Sequence, residues 1–185
     1  MSKDKTPEDP ILDQLFFYLS HAKNLLEDNH KLAPVIFAIT PFGTQILPVY
    51  HPDGEAAGTL DLISKVMTAY DCTEYYMIAD SNRVAHDDQL QECINSLYVS
   101  RKLQRLLCWD YGRFRPSKEG TDVIHFEDDP YEVAELDKIG GSINKLFSLL
   151  DHTPMEDQEK EHLRMMFPIL DAEEMIEFKN QEHLC

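Results

Sequence analysis

Asp122, His125, Glu127, Asp128 and Asp129 fall in one short stretch, and every one of them can hold a metal ion or move a proton. Carboxylates and imidazole are common ligands of zinc and of hard divalent cations. If Thr121 to Glu127 is a strand, alternation places His125 and Glu127 on one face. A metal-assisted hydrolase built there needs a further ligand, from Asp80 or His86, and a bound water to activate. The same residues also suit an exposed strand end running into a helix N-terminus, where acidic side chains favour the macrodipole. A nuclease-type strand places a lysine two residues beyond its acid, and after Glu127 that position is Asp129. Asp122, His125 and Glu127 are therefore the catalytic candidates of an alternative reading, and neither a metal nor a cofactor is expected.

Other chemistries lack their residues. His51-Pro52-Asp53 does not meet the HxHP…SxxD zinc pattern of the JAB/MPN metalloproteases, because Val49 stands where the first histidine is needed and no SxxD follows at the required interval. The chain has no GxSxG elbow, no GxGxxG and no GxxxxGK[ST] phosphate loop. Gly140-Gly141-Ser142 reads as a joint between two helices. Cys72, Cys93, Cys108 and Cys185 are far apart with no CxxC pair, as expected of reduced thiols in a cytoplasmic protein. No run approaches the ~18 apolar residues of a membrane helix.

Charge is the clearest pattern. Residues 101–118 hold six Lys and Arg (Arg101, Lys102, Arg105, Arg113, Arg115, Lys118) against one acid, Asp110. Residues 119–137 hold eight acids and no Lys or Arg, and residues 151–185 hold ten acids against three bases. The net charge is −17. Arg101, Arg105, Trp109, Arg113 and Arg115 make a basic strip with aromatic company, which suits either pairing with an acidic return strand or binding a protein partner. Nucleic acid is disfavoured, because phosphate affinity rests on counterion release by a cationic face.

The elements that position these residues can be read from periodicity. Asp9-Pro10 is a helix start, and Ile11, Leu12, Leu15, Phe16, Leu19, Ala22, Leu25 and Leu26 give helical spacing to about Asn29. Ala33 to His51 reads as a hairpin turning at Pro41-Phe42-Gly43-Thr44, with Pro48 marking an edge strand. A second helix is expected from Thr59 to Tyr70, a strand over Glu74–Asp80 and a short helix over Asp88–Ser100. The stretch from Lys102 to Glu127 reads as a hairpin whose first strand carries apolar residues on both faces. Asp129-Pro130-Tyr131-Glu132 predicts a helix ending at Gly140-Gly141, Ile143 to Leu150 another, and Thr153-Pro154-Met155-Glu156 a further one interrupted near Pro168.

This order does not alternate strand and helix regularly. It predicts an α+β fold with a mainly antiparallel sheet of about five strands, two hairpins plus one strand, packed with helices. Residues 1–150 are read as one domain and 151–185 as an acidic helical C-terminal extension. The expectation is a small, acidic, non-enzymatic accessory protein of bacterial or phage type, contacting a protein partner through that extension or the central hairpin. Met175, Ile176 and Phe178 lie beyond Pro168 and are candidates for burial in a partner or a second copy.

Overall fold

The Asp9 carboxylate accepts the Leu12 N–H at 3.1 Å and Pro10 occupies the first turn, so α1 (Pro10–Asn29) starts where the sequence places it. It ends at His30, which takes a left-handed conformation (φ 57°) and returns its N–H to the Leu26 carbonyl at 2.8 Å. Leu15, Leu19, Ala22 and Leu26 are fully buried along one stripe of the helix. The structure, a computed structural model, describes residues 9–49, 56–84, 90–115, 122–127, 129–134, 146, 148–151 and 154–169.

A hairpin follows, β1 (Val35–Thr40) and β2 (Gly43–Pro48), closed by Pro41-Phe42. Gly43 sits at φ 131°, a conformation a side chain rarely tolerates. Helix α2 (Ala56–Ala69) leads to three long antiparallel strands, β3 (Glu74–Val84), β4 (Leu90–Ser100) and β5 (Gln104–Phe114). Next come β6 (Val123–Phe126) and β7 (Tyr131–Glu132), a 3-10 turn over Ser148–Leu150, and α3 (Asp157–Met166). The fold is α+β. All strands join one antiparallel sheet in the order β2-β1-β3-β4-β5, with β6 and then β7 running along the far side of β5.

Strand alternation divides the core in two. On one face, Tyr76, Ile78, Ile94, Tyr98, Leu107 and Tyr111 pack under α1. On the other, Tyr75, Met77, Cys93, Leu97, Leu106 and Cys108 pack with Ile63, Val66 and Met67 of α2, with Leu149 and Leu150, and with Leu163 of α3. The described residues are thus layered as α1, sheet, and α2 with α3. Among the described residues no helix is long and apolar enough to cross a membrane.

Two sequence expectations are corrected. Asp88–Ser100 is not a helix: residues 90–100 form β4, which pairs with β3 along its whole length. Leu90, Ile94 and Leu97 have helical spacing, but Ile94 and Tyr98 enter one core while Cys93, Leu97 and Val99 enter the other. A strand that is apolar on both faces satisfies either period, and the pairing edges of β3 and β5 decide it. Asp129-Pro130 likewise opens β7 rather than a helix at Tyr131-Glu132, because β5 needs backbone partners at Leu107 and Cys108. These two strands bring the sheet to seven where about five were expected. Residues 135–145 lie outside the described set, as do Thr153 and everything after Ile169; α3 starts at Glu156 as N-cap and ends before Pro168.

Leu107 lies 1% exposed against α1 in the middle of β5. Leu107→Ala is expected to destabilise the fold by about 2–5 kcal/mol. Thermal or urea unfolding at matched concentration checks this, and a wild-type midpoint would remove β5 from the core.

Candidate functional site

The long strands β3, β4 and β5 extend past the apolar core, and there their side chains turn polar. On the α2 face, Asp110 is buried to 4% exposure and receives both arms of Arg83, Nε to Oδ1 at 2.8 Å and Nη2 to Oδ2. The Tyr131 hydroxyl donates to the same Oδ1 at 3.0 Å. Beside them Asn95 Nδ2 donates to Ser81 Oγ at 2.6 Å, and Ser81 Oγ lies 3.4 Å from Cys93 Sγ. The Cys108 thiol, hydrogen-bonded to Cys93 and buried, is pushed well up and stays protonated. Burial likewise raises Cys72, to about 11. Neither thiol is poised as a nucleophile.

On the α1 face, Arg113 gathers a second network. Its Nε donates to Glu92 Oε1 at 3.0 Å, its Nη1 to the His30 carbonyl at 2.9 Å and its Nη2 to Asp80 Oδ2 at 3.3 Å. The Tyr111 hydroxyl donates to Asp80 Oδ1 at 2.7 Å. Asp80, a candidate metal ligand in the sequence, is therefore taken up by an arginine and a tyrosine. A bound arginine ties the end of α1 to three strands at once.

The other residues of the basic strip are distributed in the same manner. Arg105 pairs with Glu132 of β7 at 2.7 Å and with Asp9, the N-cap of α1. Arg115 pairs with Asp122 across the β5–β6 hairpin at 2.6 Å. Trp109 donates its Nε1–H to the Glu127 carbonyl at 2.9 Å, and Lys23 of α1 lies 4.4 Å from its ring centre. Arg101 is exposed at the β4–β5 turn.

The acidic stretch does not converge. Ile124 and Phe126 face α1, so Val123, His125 and Glu127 point to the opposite side of β6, while Asp122 is drawn to Arg115. Among the described residues no three His, Cys, Asp or Glu side chains are placed to share an ion. His51, His86, Asp128, Gly140-Gly141-Ser142, Met175, Ile176 and Phe178 lie outside the described residues.

A further feature is apolar. The C-terminal end of α3 is fastened to the body by the Tyr70 hydroxyl, which donates to the Phe167 carbonyl at 2.6 Å, and by Gln45 Nε2, which donates to the same carbonyl at 2.8 Å. Arg164 donates to the Ala69 carbonyl at 2.7 Å and stacks 5.1 Å from the centre of the Phe42 ring. Held there, Met165 is 76% exposed, Met166 58% and Phe42 61%. Asp157, Glu159 and Glu161 of the same helix are exposed. Helical spacing places Leu163 inward and leaves Met165 and Met166 outward. The methionines are visible in the sequence, whereas the stacking of Phe42 on Arg164 is not, since the β1–β2 turn and α3 meet only in the fold. Arg83 and Asp110 were also missed, although each lies on an exact two-residue repeat from buried apolar neighbours.

The chain matches no protein-family model, no curated protein and no solved structure.

The Arg83–Asp110 pair leads to a stability prediction. Arg83→Ala leaves a buried carboxylate without its cation and is expected to cost about 3–5 kcal/mol, whereas Tyr131→Phe removes one hydrogen bond and costs about 1 kcal/mol. Chemical denaturation of the two variants reads the difference.

A second prediction concerns pH. The Arg105 guanidinium holds the Glu132 carboxyl below its ordinary value of 4.5. A lowered folded pKa means stability that is complete above the ordinary value and lost as pH falls through the folded one. Glu132→Gln should therefore lose less stability on acidification below 4.5 than the wild type does. Unfolding midpoints across that range check the slope.

Proposed function

We propose that this chain is a non-catalytic accessory protein that binds a protein partner through the end of α3. The observation that carries this reading is the exposed pair Met165 and Met166, with exposed Phe42 stacked on Arg164 and the carboxylates of Asp157, Glu159 and Glu161 on the same helix. Methionine side chains are flexible and polarizable, so they adapt to different apolar partners. Exposed apolar groups rimmed by charge are typical of contact surfaces. Lys160 and Arg164 of the same helix are turned to Asp71, so Asp157, Glu159 and Glu161 are left as its exposed charges in a chain of net charge −17, which selects a partner segment that is basic as well as apolar. An amphipathic helix with lysines flanking leucines has that chemistry.

The reading predicts that a lysine- and leucine-bearing amphipathic peptide binds the full chain and weakens as salt rises, because its outer contacts are screened charges. Met165→Glu together with Met166→Glu should weaken it by about tenfold or more. Both positions are exposed, so unfolding should shift by only about 0.5 kcal/mol. Titration calorimetry checks this. Equal binding to wild type and double variant removes α3 as the contact.

A further inference from the structure

The two edges of the sheet are treated differently. The β6–β7 edge carries Asp122, His125, Glu127, Asp129 and Glu132, with Arg105 and Arg115 bonded across it. Charge of this kind is how edge strands are kept from pairing with other chains. The opposite edge, β2, carries none. From Leu32 to Val49 there is no Asp, Glu, Lys, Arg or His, in a chain of which 28% is charged.

The face beside that edge is also incompletely covered. Helix α1 lies over β3, β4, β5 and β6. Val35, Phe37 and Ile39 of β1 and Ile46 of β2 point to the α1 side but are only half-buried. Phe17, on the flank of α1, is 65% exposed, and its neighbour Tyr18 stacks on Phe37 at 4.5 Å. Among the described residues no strand pairs with the outer edge of β2; Ile169 lies against Gly43 at its start, and the half-buried apolar face continues to that edge.

Backbone register says what the edge offers. The Val49 N–H reaches the Pro34 carbonyl at 2.9 Å, and Gly43 pairs with Thr40. Antiparallel alternation then turns the backbone groups of residues 43, 45, 47 and 49 toward β1, and those of Thr44, Ile46 and Pro48 outward. Pro48 has no N–H to offer. An antiparallel copy fits best with Thr44 of one chain beside Ile46 of the other and Gln45 at the two-fold axis. That register bonds every outward N–H and leaves Pro48 outside the ladder.

We propose that β2 pairs with β2 of a second copy of this chain, joining two sheets into one about a two-fold axis, with Phe17, Phe37 and Ile46 beside the seam. The occupant is a second copy because of charge. Two chains of net charge −17 repel wherever their carboxylates face, and the hairpin β1–β2 brings none of its own to a contact. A basic partner would be drawn instead to the carboxylates elsewhere. A self-complementary strand is also what an isologous two-fold contact requires. This inference stands apart from the α3 reading, since it uses other residues and another observable.

The test is sedimentation equilibrium of the full chain over a wide concentration range, with hydrogen exchange followed at Thr44 and Ile46. The wild type should dimerise, and both amides should exchange more slowly as the dimer fills. Thr44→Lys places two lysines about the two-fold axis, the charge by which edge strands are kept from pairing, and should raise the dissociation constant by about tenfold or more. Val123→Lys puts the same charge on the opposite edge and should leave it unchanged. Circular dichroism melts confirm that both variants fold, and Thr44→Val supplies an uncharged exchange that retains the dimer if Thr44→Lys unfolds. A chain monomeric at every concentration overturns the proposal. So does association indifferent to Thr44→Lys, or exchange at Thr44 and Ile46 that does not follow concentration.

Discussion

Strands β4 and β5 lie inside the sheet with apolar side chains on both faces, and a strand so placed is stable only when a layer of structure covers each side. Leu107 and Tyr111 require α1; Leu106 and Cys108 require the layer of α2, Leu149 and Leu150. The remaining architecture serves that requirement. The hairpin β1–β2 widens the sheet so that α2 has a floor in Ile36, Ala38 and Leu47. Helix α1 is long enough to cross β3 through β6 because its buried stripe continues from Leu15 to Leu26. Hydrophobic burial on two faces is the dominant favourable term here, as in most domains of this size.

Polar groups mark where the double covering stops. Asp110 continues the alternation of Leu106 and Cys108, and Asp80 continues that of Tyr76 and Ile78, so each carboxylate enters the sheet at a place where an apolar residue would otherwise sit. A carboxylate withdrawn from water needs a cation and further donors: Arg83 and Tyr131 supply them to buried Asp110, and Arg113 and Tyr111 to half-buried Asp80. Cations are the scarcer charge in this chain, at 17 Lys and Arg against 34 Asp and Glu. Several are shared between two carboxylates: Arg105 between Asp9 and Glu132, Arg113 between Asp80 and Glu92. Among the described residues most of the Lys and Arg are engaged in ion pairs.

The C-terminal helix is joined to the body by hydrogen bonds as much as by apolar contact. The Phe167 carbonyl, one of the groups a helix end leaves without an internal partner, accepts from both Tyr70 and Gln45. Lys160 and Arg164 reach Asp71, which follows α2 in a left-handed conformation. One buried side, Leu163, and one exposed side, Met165 and Met166, result from the same fastening.

What the sequence determined by itself is what depends on near neighbours. The Asp9 cap, the four-and-three spacing of α1, the Pro41–Gly43 turn, Pro48 at an edge and the two-faced character of β5 are all set by local backbone chemistry. The α+β class and the antiparallel sheet could be read from their order. The tertiary structure decided what depends on distant partners. Residues 90–100 satisfy two periodicities, and only the free edges of β3 and β5 made them a strand. Tyr131 and Glu132 carry a local helix-start signal that Asp110 and Arg105, more than 20 residues earlier in the chain, override by drawing their side chains to β5. The cluster of Asp122, His125 and Glu127 looked like one site because its members are close in sequence. Alternation and the pull of Arg115 separated them, whereas Phe42 and Arg164, far apart in the chain, were brought into contact by the packing of α3.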